Sequence, residues 1–598
     1  MADTISVPEY EPDSVARVIA DTWMRWSSAR SVWLSERSEL RDYLFSTSTR
    51  TTSNAKLPWK NSTVTPKLTQ IRDNLHANYM AALFPNEEWF EWVADDHDSI
   101  TVNKRKAIEA YMRQKLKQSK FELVVERLVL DYIDDGNVFA GHEFVNLVKT
   151  DPQSGEKIEG YIGPQAVRFS PMDCVIDPTA TSFQTTPFIR RYTRTVGDVA
   201  RDMEVLGTQG FDLVKLRRVL DLRANYTDHI DQLKGHGLSV DGFGSIEEYY
   251  QCGRIEFLEL WGNVYDEKTQ TSYPDHVATI VDRRWSLRCE PNPSWLGQKP
   301  VFHCGWRVRP DNLWAQGPLD QLVGMQYRID HLENLKADVF DQIANPIIKV
   351  KGNTVNDFVF GPGQKIICGD DGDVDLLRPD ATALNADMQI EHLMQRMEEL
   401  AGAPKQAMGI RTPGEKTKYE VQVLENGAGR IFEAKVAWFE KNVLEPLINS
   451  MLEECQRKMG GAEKIRMVDP ELGATVFIDV TRDDLNGNGR LYPVGSRHFA
   501  EKARFVQELT QTMQNIQQMP TVAPHISGKA VARALEDVLG WTQYGIVQDN
   551  VAITESLETE KLKQAAQEQL QGSGAQPAEM QPGDFQSADT NTPEQAPA

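Results

Sequence analysis

The chain has 598 residues, and its 87 acidic side chains outnumber its 65 basic ones to give a formal net charge of −22. That balance argues against a protein that holds nucleic acid tightly, because tight binding to phosphates requires a basic surface. The six cysteines include no Cys-x-x-Cys pair, which favours reduced structural thiols over a zinc site or a disulfide framework.

The first residues carry no basic stretch followed by an apolar core, and no apolar run reaches the roughly 18 residues of a membrane span. We therefore expect a protein that is made in the cytoplasm and does not enter a membrane.

Residues 1–310 are predicted to form an α+β body. Apolar residues recur at helical spacing from Ser14 to Phe45, which predicts one long helix with tryptophans along a packing face. A polar connection over residues 46–62 leads to a second helical stretch at 65–84. Further helices are expected at 100–135 and 195–235, and strands at 138–194 and 256–309.

Residues 317–459 organise the rest of the chain. Pro318 follows a glycine at a position where a helix can begin, and an apolar face continues from there to a stop at Asn345-Pro346. We therefore assign residues 311–345 to a first helix and the turn-rich residues 346–385 to a small β insert. Helical spacing returns at 386–402, and a Pro/Gly/Lys loop follows at 403–417.

A very long helix is predicted at 418–460, where apolar positions hold one face. Pro446 lies inside that face, and the loss of a backbone hydrogen bond there predicts a kink. A helix of this length outruns the core of an ordinary domain. We expect it to pack against neighbouring copies of the chain, and a bundle within a single chain is the alternative.

The remaining residues are predicted to form a β segment at 461–495 and a helical region at 496–570. Residues 571–598 are rich in Gly, Pro, Gln and acid, which is too polar a composition to build a core, so we expect them to be disordered.

Two segments resemble ligand-binding loops without meeting their requirements. In GIRTPGEKT, Glu415 separates Gly414 from Lys416 and no strand precedes the loop, so it cannot cradle phosphates as a P-loop does. Residues 484–489 match the first half of a calcium loop, but Gly495 stands where a bidentate Glu is needed. We expect a hairpin turn at 484–489, with a weak cation site as the alternative.

The sequence contains no nucleophile elbow, and its adjacent His303 and Cys304 lie within an apolar strand pattern that favours a core thiol. We therefore expect a protein that is not an enzyme, with no catalytic residue, no metal site and no cofactor.

The loop that precedes the long helix carries a cluster of basic side chains, namely Lys405, Arg411, Lys416 and Lys418. One interpretation is a solvated flexible loop. The other is that, in a ring with these loops turned inward, they would form a narrow positive collar that touches phosphates transiently.

The order of helix, β insert, shorter helix, basic loop and very long helix resembles the core of bacteriophage portal proteins, the head-to-tail connectors of tailed phages, and of podoviruses in particular. Three stretches carry the resemblance: PWKNSTVTPKLTQIRDNLHANYMAALFP at 58–85, GPLDQLVGMQYRIDHLENL at 317–335 and ELAGAPKQAMGIRTPGEKTKYEVQVLENG at 399–427. The loop departs from the commoner pattern, which has Thr-Ala before its Glu, because it has Lys418-Tyr419 before Glu420.

This resemblance implies a portal-protein fold and gives each region a name. Residues 1–310 and 461–495 would belong to the wing, 311–345 and 386–402 would be the stem helices, and 346–385 the clip. Residues 403–417 would be the tunnel loop, 418–460 the kinked wing helix and 496–570 the helical crown.

The resemblance also implies a function. The chain would form a ring of twelve copies at one capsid vertex of the virion, through which double-stranded DNA is packaged and later ejected. Expected partners are the terminase motor, the major capsid protein, scaffolding protein and tail adaptor proteins. The alternative is a structural head or tail adaptor or scaffold that does not encircle DNA.

Overall fold

The computed structural model describes most of the chain up to residue 494. The described ranges are 13–85, 89–95, 102–150, 157–208, 210–223, 254–266, 268–294, 299–344, 347–351, 373–377, 385–401, 431–468 and 475–494. The predicted loop at 403–417, the crown at 496–570 and the tail at 571–598 lie outside these ranges.

The chain divides into two compact units, of which the first comprises Met1–Met467 and Val476–Glu501. The second comprises Val468–Thr475 and Lys502–Ala598, and only its residues 468 and 475 are described, each at the end of a strand. The first unit mixes helices and sheets, which confirms the predicted α+β class. None of its described helices combines the length and apolar character needed to cross a bilayer.

The predicted single helix from Ser14 to Phe45 is wrong, because the chain forms two helices, α1 (Ser14–Ala29) and α2 (Ser31–Phe45), that meet at Arg30. The buried Arg30 guanidinium donates hydrogen bonds of 2.5–2.6 Å to the carbonyls of Pro171, Met172 and Cys174. Apolar spacing does not register such a contact, since it joins residues about 140 positions apart in sequence.

The next elements surround the largest core. They are α3 (Lys67–Leu83), β1 (Phe90–Ala94), α4 (Val102–Gln118) and α5 (Phe121–Asp134). The expected helix at 100–135 is also two helices, because Lys120 adopts a left-handed conformation with φ of 55° between α4 and α5. That break lets Phe121 and Met112 enter one core from two helices.

Two antiparallel sheets follow. The three-stranded sheet has the order β3-β2-β9 and the five-stranded sheet β4-β5-β6-β7-β8. Their strands are β2 (Asn137–Thr150), β3 (Lys157–Phe169), β4 (Cys174–Ile176), β5 (Phe188–Thr195), β6 (Arg254–Asp266), β7 (Thr271–Val281), β8 (Trp285–Pro291) and β9 (Val301–Gly305).

The five-stranded sheet is covered on both faces, because successive side chains of a strand point to opposite sides. Leu258 of β6 packs in a cluster with Ile19 of α1. Its neighbour Phe257 packs in another cluster with Leu216 of α8 (Leu213–Arg223). Helix α8 follows two short helices, α6 (Val196–Arg201) and α7 (Met203–Thr208).

The predicted helix start at Pro318 is five residues early. Strands β10 (Arg307–Arg309) and β11 (Asn312–Gln316) come first, then a 3₁₀ turn at Asp320–Leu322, and only then helix α9 (Val323–Ala344). The Asp320 carboxylate accepts a 2.9 Å hydrogen bond from the Gly317 N–H and pairs with the buried Arg37. These contacts hold residues 317–320 as a turn.

Helix α9 leads into an antiparallel pair of short strands, β12 (Ile347–Lys351) and β13 (Asp373–Leu377), and then into α10 (Asp387–Ala401). Ile347 lies opposite Leu377 at the base of this pair, and Lys351 opposite Asp373 at its far end. The β insert therefore contains at least this two-stranded ribbon between two helices.

The described part of the long helix, which we call α11, covers residues 431–458. It is α-helical at 431–439, π-helical at Glu440–Leu444 and α-helical again at Glu445–Lys458. Phe439, Leu447 and Met451 are fully buried in the main core. This half of the helix therefore packs inside its own subunit.

The last described elements are β14 (Glu463–Val468), β15 (Thr475–Val480), α12 (Arg482–Leu485) and β16 (Gly489–Pro493). The expected hairpin at 484–489 is wrong, since β15 pairs with β14 and β16 pairs with β1. Thr481 and Asp484 form a capping box at the start of α12, so the Asp484 carboxylate binds a hydroxyl and a backbone N–H.

Candidate functional site: the helix pair and its strap

Helices α9 and α10 run antiparallel to each other. Lys336, in the second half of α9, forms an ion pair with Asp387, the first residue of α10. Near the other end of α10, the buried Glu398 accepts a 2.5 Å hydrogen bond from Lys67, and the next residue, Leu68, donates its backbone N–H to Gln326 near the start of α9. The two helices thus lead out to the β12–β13 ribbon and back.

The two halves of α9 have different environments. Its first half contributes five buried side chains, namely Gln326, Ile329, Asp330, Leu332 and Asn334. From Leu335 to Ala344 no side chain is buried, and over these ten residues the helix extends about 15 Å beyond the core. Exposed apolar side chains mark this outer half of the pair: Leu335, Phe340 (63% exposed), Ile343 and, on α10, Met388 (83% exposed).

One face of α9 is a ladder of polar side chains that binds an extended segment, residues 57–66, which we call the strap. Gln326, Asp330, Asn334 and Asp338 recur at every fourth position, so they lie in a row along the helix. Each of them bonds to backbone groups of the strap.

The rungs of this ladder are short and paired. Asn334 accepts from the Thr63 N–H at 2.9 Å and donates to the Thr63 carbonyl at 2.8 Å. Thr65 donates its N–H to Asp330 at 3.0 Å, while its carbonyl accepts from Gln326 at 2.5 Å. The side chains of α9 therefore replace a neighbouring β-strand as partner of the strap backbone, which satisfies polar groups that would be costly to leave unpaired.

Asp330 is fully buried and has no cationic partner among the described residues. Its Oδ1 accepts from Thr65 N and from Gln326 Nε2, whereas Oδ2 has no hydrogen-bond partner there. Burial raises the pKa of Asp330 to about 6, and the bonds from Thr65 and Gln326 oppose that rise.

A cluster of arginines and aspartates fixes the end of α5 to α3 and β3. Arg72 forms two bonds of 2.7 Å to Asp134, and Arg168 forms bonds of 2.5 and 2.6 Å to Asp131. Such two-pronged pairs hold their partners in a defined orientation. Sequence spacing gave no sign of this cluster, because its members come from separate elements.

Behind it, two glycines bring the chain into close contact. Gly136 has φ of +68°, and a Cβ atom there would lie 2.3 Å from the backbone nitrogen of Gly317. Only glycine fits such an approach at a left-handed position.

The one arrangement reminiscent of nucleophilic catalysis among the described residues is His142 of β2 with Ser450 and Glu454 of α11. Ser450 Oγ lies 3.3 and 3.4 Å from the two ring nitrogens, so it is not aligned with either lone pair, and Glu454 Oε1 is 4.0 Å from Nε2. Burial lowers the pKa of His142. These distances do not give the base-to-nucleophile bond of a catalytic triad.

The tunnel-loop residues Lys405, Arg411, Lys416 and Lys418 lie outside the described residues. Pro446 lies in the first turn of the α-helical part that follows the π-helical turn of α11. His303 and Cys304 lie in β9 with Cys304 buried, as expected for a core thiol. The polar ladder was missed, although its four-residue repeat of polar side chains within a predicted helix was a visible signal.

The fold and this site together describe an α+β protein from whose body an antiparallel helix pair, tipped by a β ribbon, projects. No protein-family model matches the sequence, and none of the curated proteins matches it either.

Proposed function

We propose that this chain is the subunit of a portal ring, the channel through which a tailed phage packages and ejects double-stranded DNA. The observation that carries the proposal is the projecting half of the α9–α10 pair, with apolar side chains exposed at positions such as Phe340 and Met388. Exposed apolar side chains grouped on a projecting element are typical of surfaces that bind another protein chain.

A second copy of the same chain is a suitable occupant of this surface. Head-to-tail contacts between identical subunits close into a ring when the rotation between neighbours divides a full turn. In such a ring the helix pairs would stand side by side about the axis as the stem, and the β12–β13 ribbons would form the clip. That ribbon would meet the terminase motor during packaging and tail adaptors later.

The charge of the chain suits a channel that does not hold its cargo. A net charge of −22 per subunit repels the phosphate backbone and leaves no deep binding minimum along the path. In this proposal Lys405, Arg411, Lys416 and Lys418 form a positive collar that contacts the duplex briefly as it passes. The ring would occupy one vertex of the capsid, with the major capsid protein and scaffolding protein as further partners.

Electron microscopy of the purified chain tests the ring directly. We expect class averages of a closed ring with an axial opening wide enough for a DNA duplex. A population that stays monomeric or dimeric at high protein concentration in native mass spectrometry would contradict the proposal.

The collar is tested by replacing Lys405, Arg411, Lys416 and Lys418 together with Ser. We expect normal rings and reduced DNA packaging or retention, because only the loop contacts change. Serine at Arg217 and Arg218, two exposed residues of α8, is the matched control and should leave packaging unchanged. In the alternative function, an adaptor that does not encircle DNA, the loop variant would behave as wild type.

A further inference from the structure

The strap is fastened to α9 by hydrogen bonds alone over most of its length. None of the residues 57–66 is buried, and the nearest buried residues on either side are Asn54 and Lys67. One contact of the strap with α9 is not a hydrogen bond: the centroid of the Trp59 ring lies 5.2 Å from that of the His331 ring. Segments with few buried apolar contacts open at low free energy, so the strap can leave α9 without unfolding the core.

The other side of the strap stays attached to the body. The Thr49 N–H donates to the Ser62 carbonyl at 3.1 Å, and Ser48 forms an isolated β-bridge with Thr63. Release of the strap from α9 would therefore break the ladder bonds, while the contacts of the strap with Ser48 and Thr49 remain. That motion would free the polar face of α9.

The Asp330 carboxyl group lies in the middle of the ladder, and its surroundings favour the protonated form over the ionised form. Within the Asp330 carboxyl group, Oδ1 accepts hydrogen bonds from Thr65 and Gln326, and Oδ2 accepts none among the described residues. A proton on Oδ2 therefore leaves both of these hydrogen bonds intact and removes a buried charge that has no cationic partner among the described residues. Ionisation keeps both hydrogen bonds but places a negative charge in a buried site that disfavours it.

We propose that Asp330 is a proton-operated latch, which holds the strap on α9 when protonated and loosens it when ionised. The inference does not depend on the portal proposal, because it concerns contacts within one subunit. Once the strap lifts, water reaches the carboxylate and stabilises its charge, so ionisation favours the released state.

The neighbouring titratable groups do not reverse this expectation. On α2, burial raises the pKa of Tyr43 to about 12, so its hydroxyl, bonded to Ser53, stays neutral, and Glu39 beside it is exposed. On α9 itself, Glu333 adds negative charge and disfavours ionisation of Asp330 further. At the start of α3, Lys67 is already paired with Glu398.

His331 is the competing group, because it contacts Trp59 of the strap and burial lowers its pKa from an ordinary value near pH 6.5. Any experiment on the latch has to separate its titration from that of Asp330.

The sign of the pH effect follows from linkage. The pKa of Asp330 is raised from 3.8 in water to about 6 in the closed state, so the closed state binds the proton more tightly. The opening constant of the strap therefore rises with pH, by about fourfold between pH 5.5 and 8 if the released carboxyl titrates normally.

Hydrogen exchange in the full-length protein measures this constant through the amides of Thr63 and Thr65, which are rungs of the ladder. After correction for the intrinsic exchange rate, we expect their protection to be about fourfold lower at pH 8 than at pH 5.5. Amides of α11 at 445–458 should show no such ratio. Equal protection of the strap amides at both pH values would overturn the proposal.

Three variants assign the effect. Asp330→Asn should abolish the pH ratio. His331→Asn should retain it, and a lost ratio in that variant would overturn the proposal in favour of the histidine. Asp338→Asn replaces one of the two carboxylate oxygens that accept from the Lys60 and Asn61 N–H groups with an amide NH₂, so it should lower protection at both pH values and keep the ratio. Should Asp330→Asn fail to fold, the wild type and the His331→Asn variant still decide the outcome.

Discussion

Phe340 offers the sharpest test of whether the projecting helix pair is an assembly surface. Its side chain is 63% exposed in the single subunit. Replacing Phe340 with Ser should therefore change the free energy of unfolding of the subunit by no more than about 0.5 kcal/mol. Complete burial of a phenylalanine side chain is worth about 1.5–3 kcal/mol, so burying the part still exposed should contribute about 1–2 kcal/mol to each contact between neighbours.

That contribution corresponds to a dissociation constant about 5- to 30-fold higher for each subunit contact. A dilution series followed by mass photometry or sedimentation velocity measures the shift. Val214→Ser is the matched control, because Val214 is 64% exposed on α8, away from the helix pair. If Phe340→Ser rings dissociated at the wild-type concentration, or if the variant lost thermal stability as a monomer, the assignment of this surface would be wrong.

Two predictions concern the interior. Phe439→Ala should lower the free energy of unfolding by about 3–5 kcal/mol in urea titrations, because the phenyl side chain is fully buried in the subunit core. A variant whose subunit is as stable as wild type, and in which only the oligomer dissociates more readily, would contradict that placement. Gly136→Ala should reduce the melting temperature and the yield of folded protein, because its Cβ would collide with the backbone of Gly317. Gly324→Ala on α9 meets open space and should be neutral or mildly stabilising, so equal losses in both variants would refute the steric argument.

The elements that sequence patterns predicted well are those held by local apolar periodicity. The α3 pattern at 65–84 corresponds to a helix at Lys67–Leu83, and the shorter helix predicted at 386–402 corresponds to Asp387–Ala401. In both, one continuous apolar face enters the core, so the spacing carries the information needed.

The errors share a different cause, which is that long-range polar contacts decided the local conformation. The break at Arg30 exists where its guanidinium binds carbonyls from residues 171–174. The late start of α9 follows from the pairing of Asp320 with Arg37. Neither partner can be identified from residues adjacent in sequence.

The candidate site shows the same division. Apolar spacing predicted a continuous helix where α9 lies. It included Phe340 in that helix but did not distinguish the outer half, where Phe340 is exposed, from the buried first half. The polar ladder depends on an extended partner some 270 positions earlier in the chain, as in the bond from Thr63 to Asn334. A row of Gln, Asp and Asn at four-residue steps signals a polar stripe, but it does not say whether water or backbone will cover it.

The π-helical turn before Pro446 has a consequence for the direction in which α11 presents its side chains. The Glu445 N–H bonds to the Glu440 carbonyl five residues back, so the wide turn accommodates one residue more than an α-helical turn. One added residue rotates the side chains of residues 431–439 about the helix axis by about 100° relative to an unbroken α-helix. Ile431 and Trp438 are both exposed, and the π-helical turn sets the direction in which they point. Deleting one residue within 440–444 would therefore rotate them toward the interior.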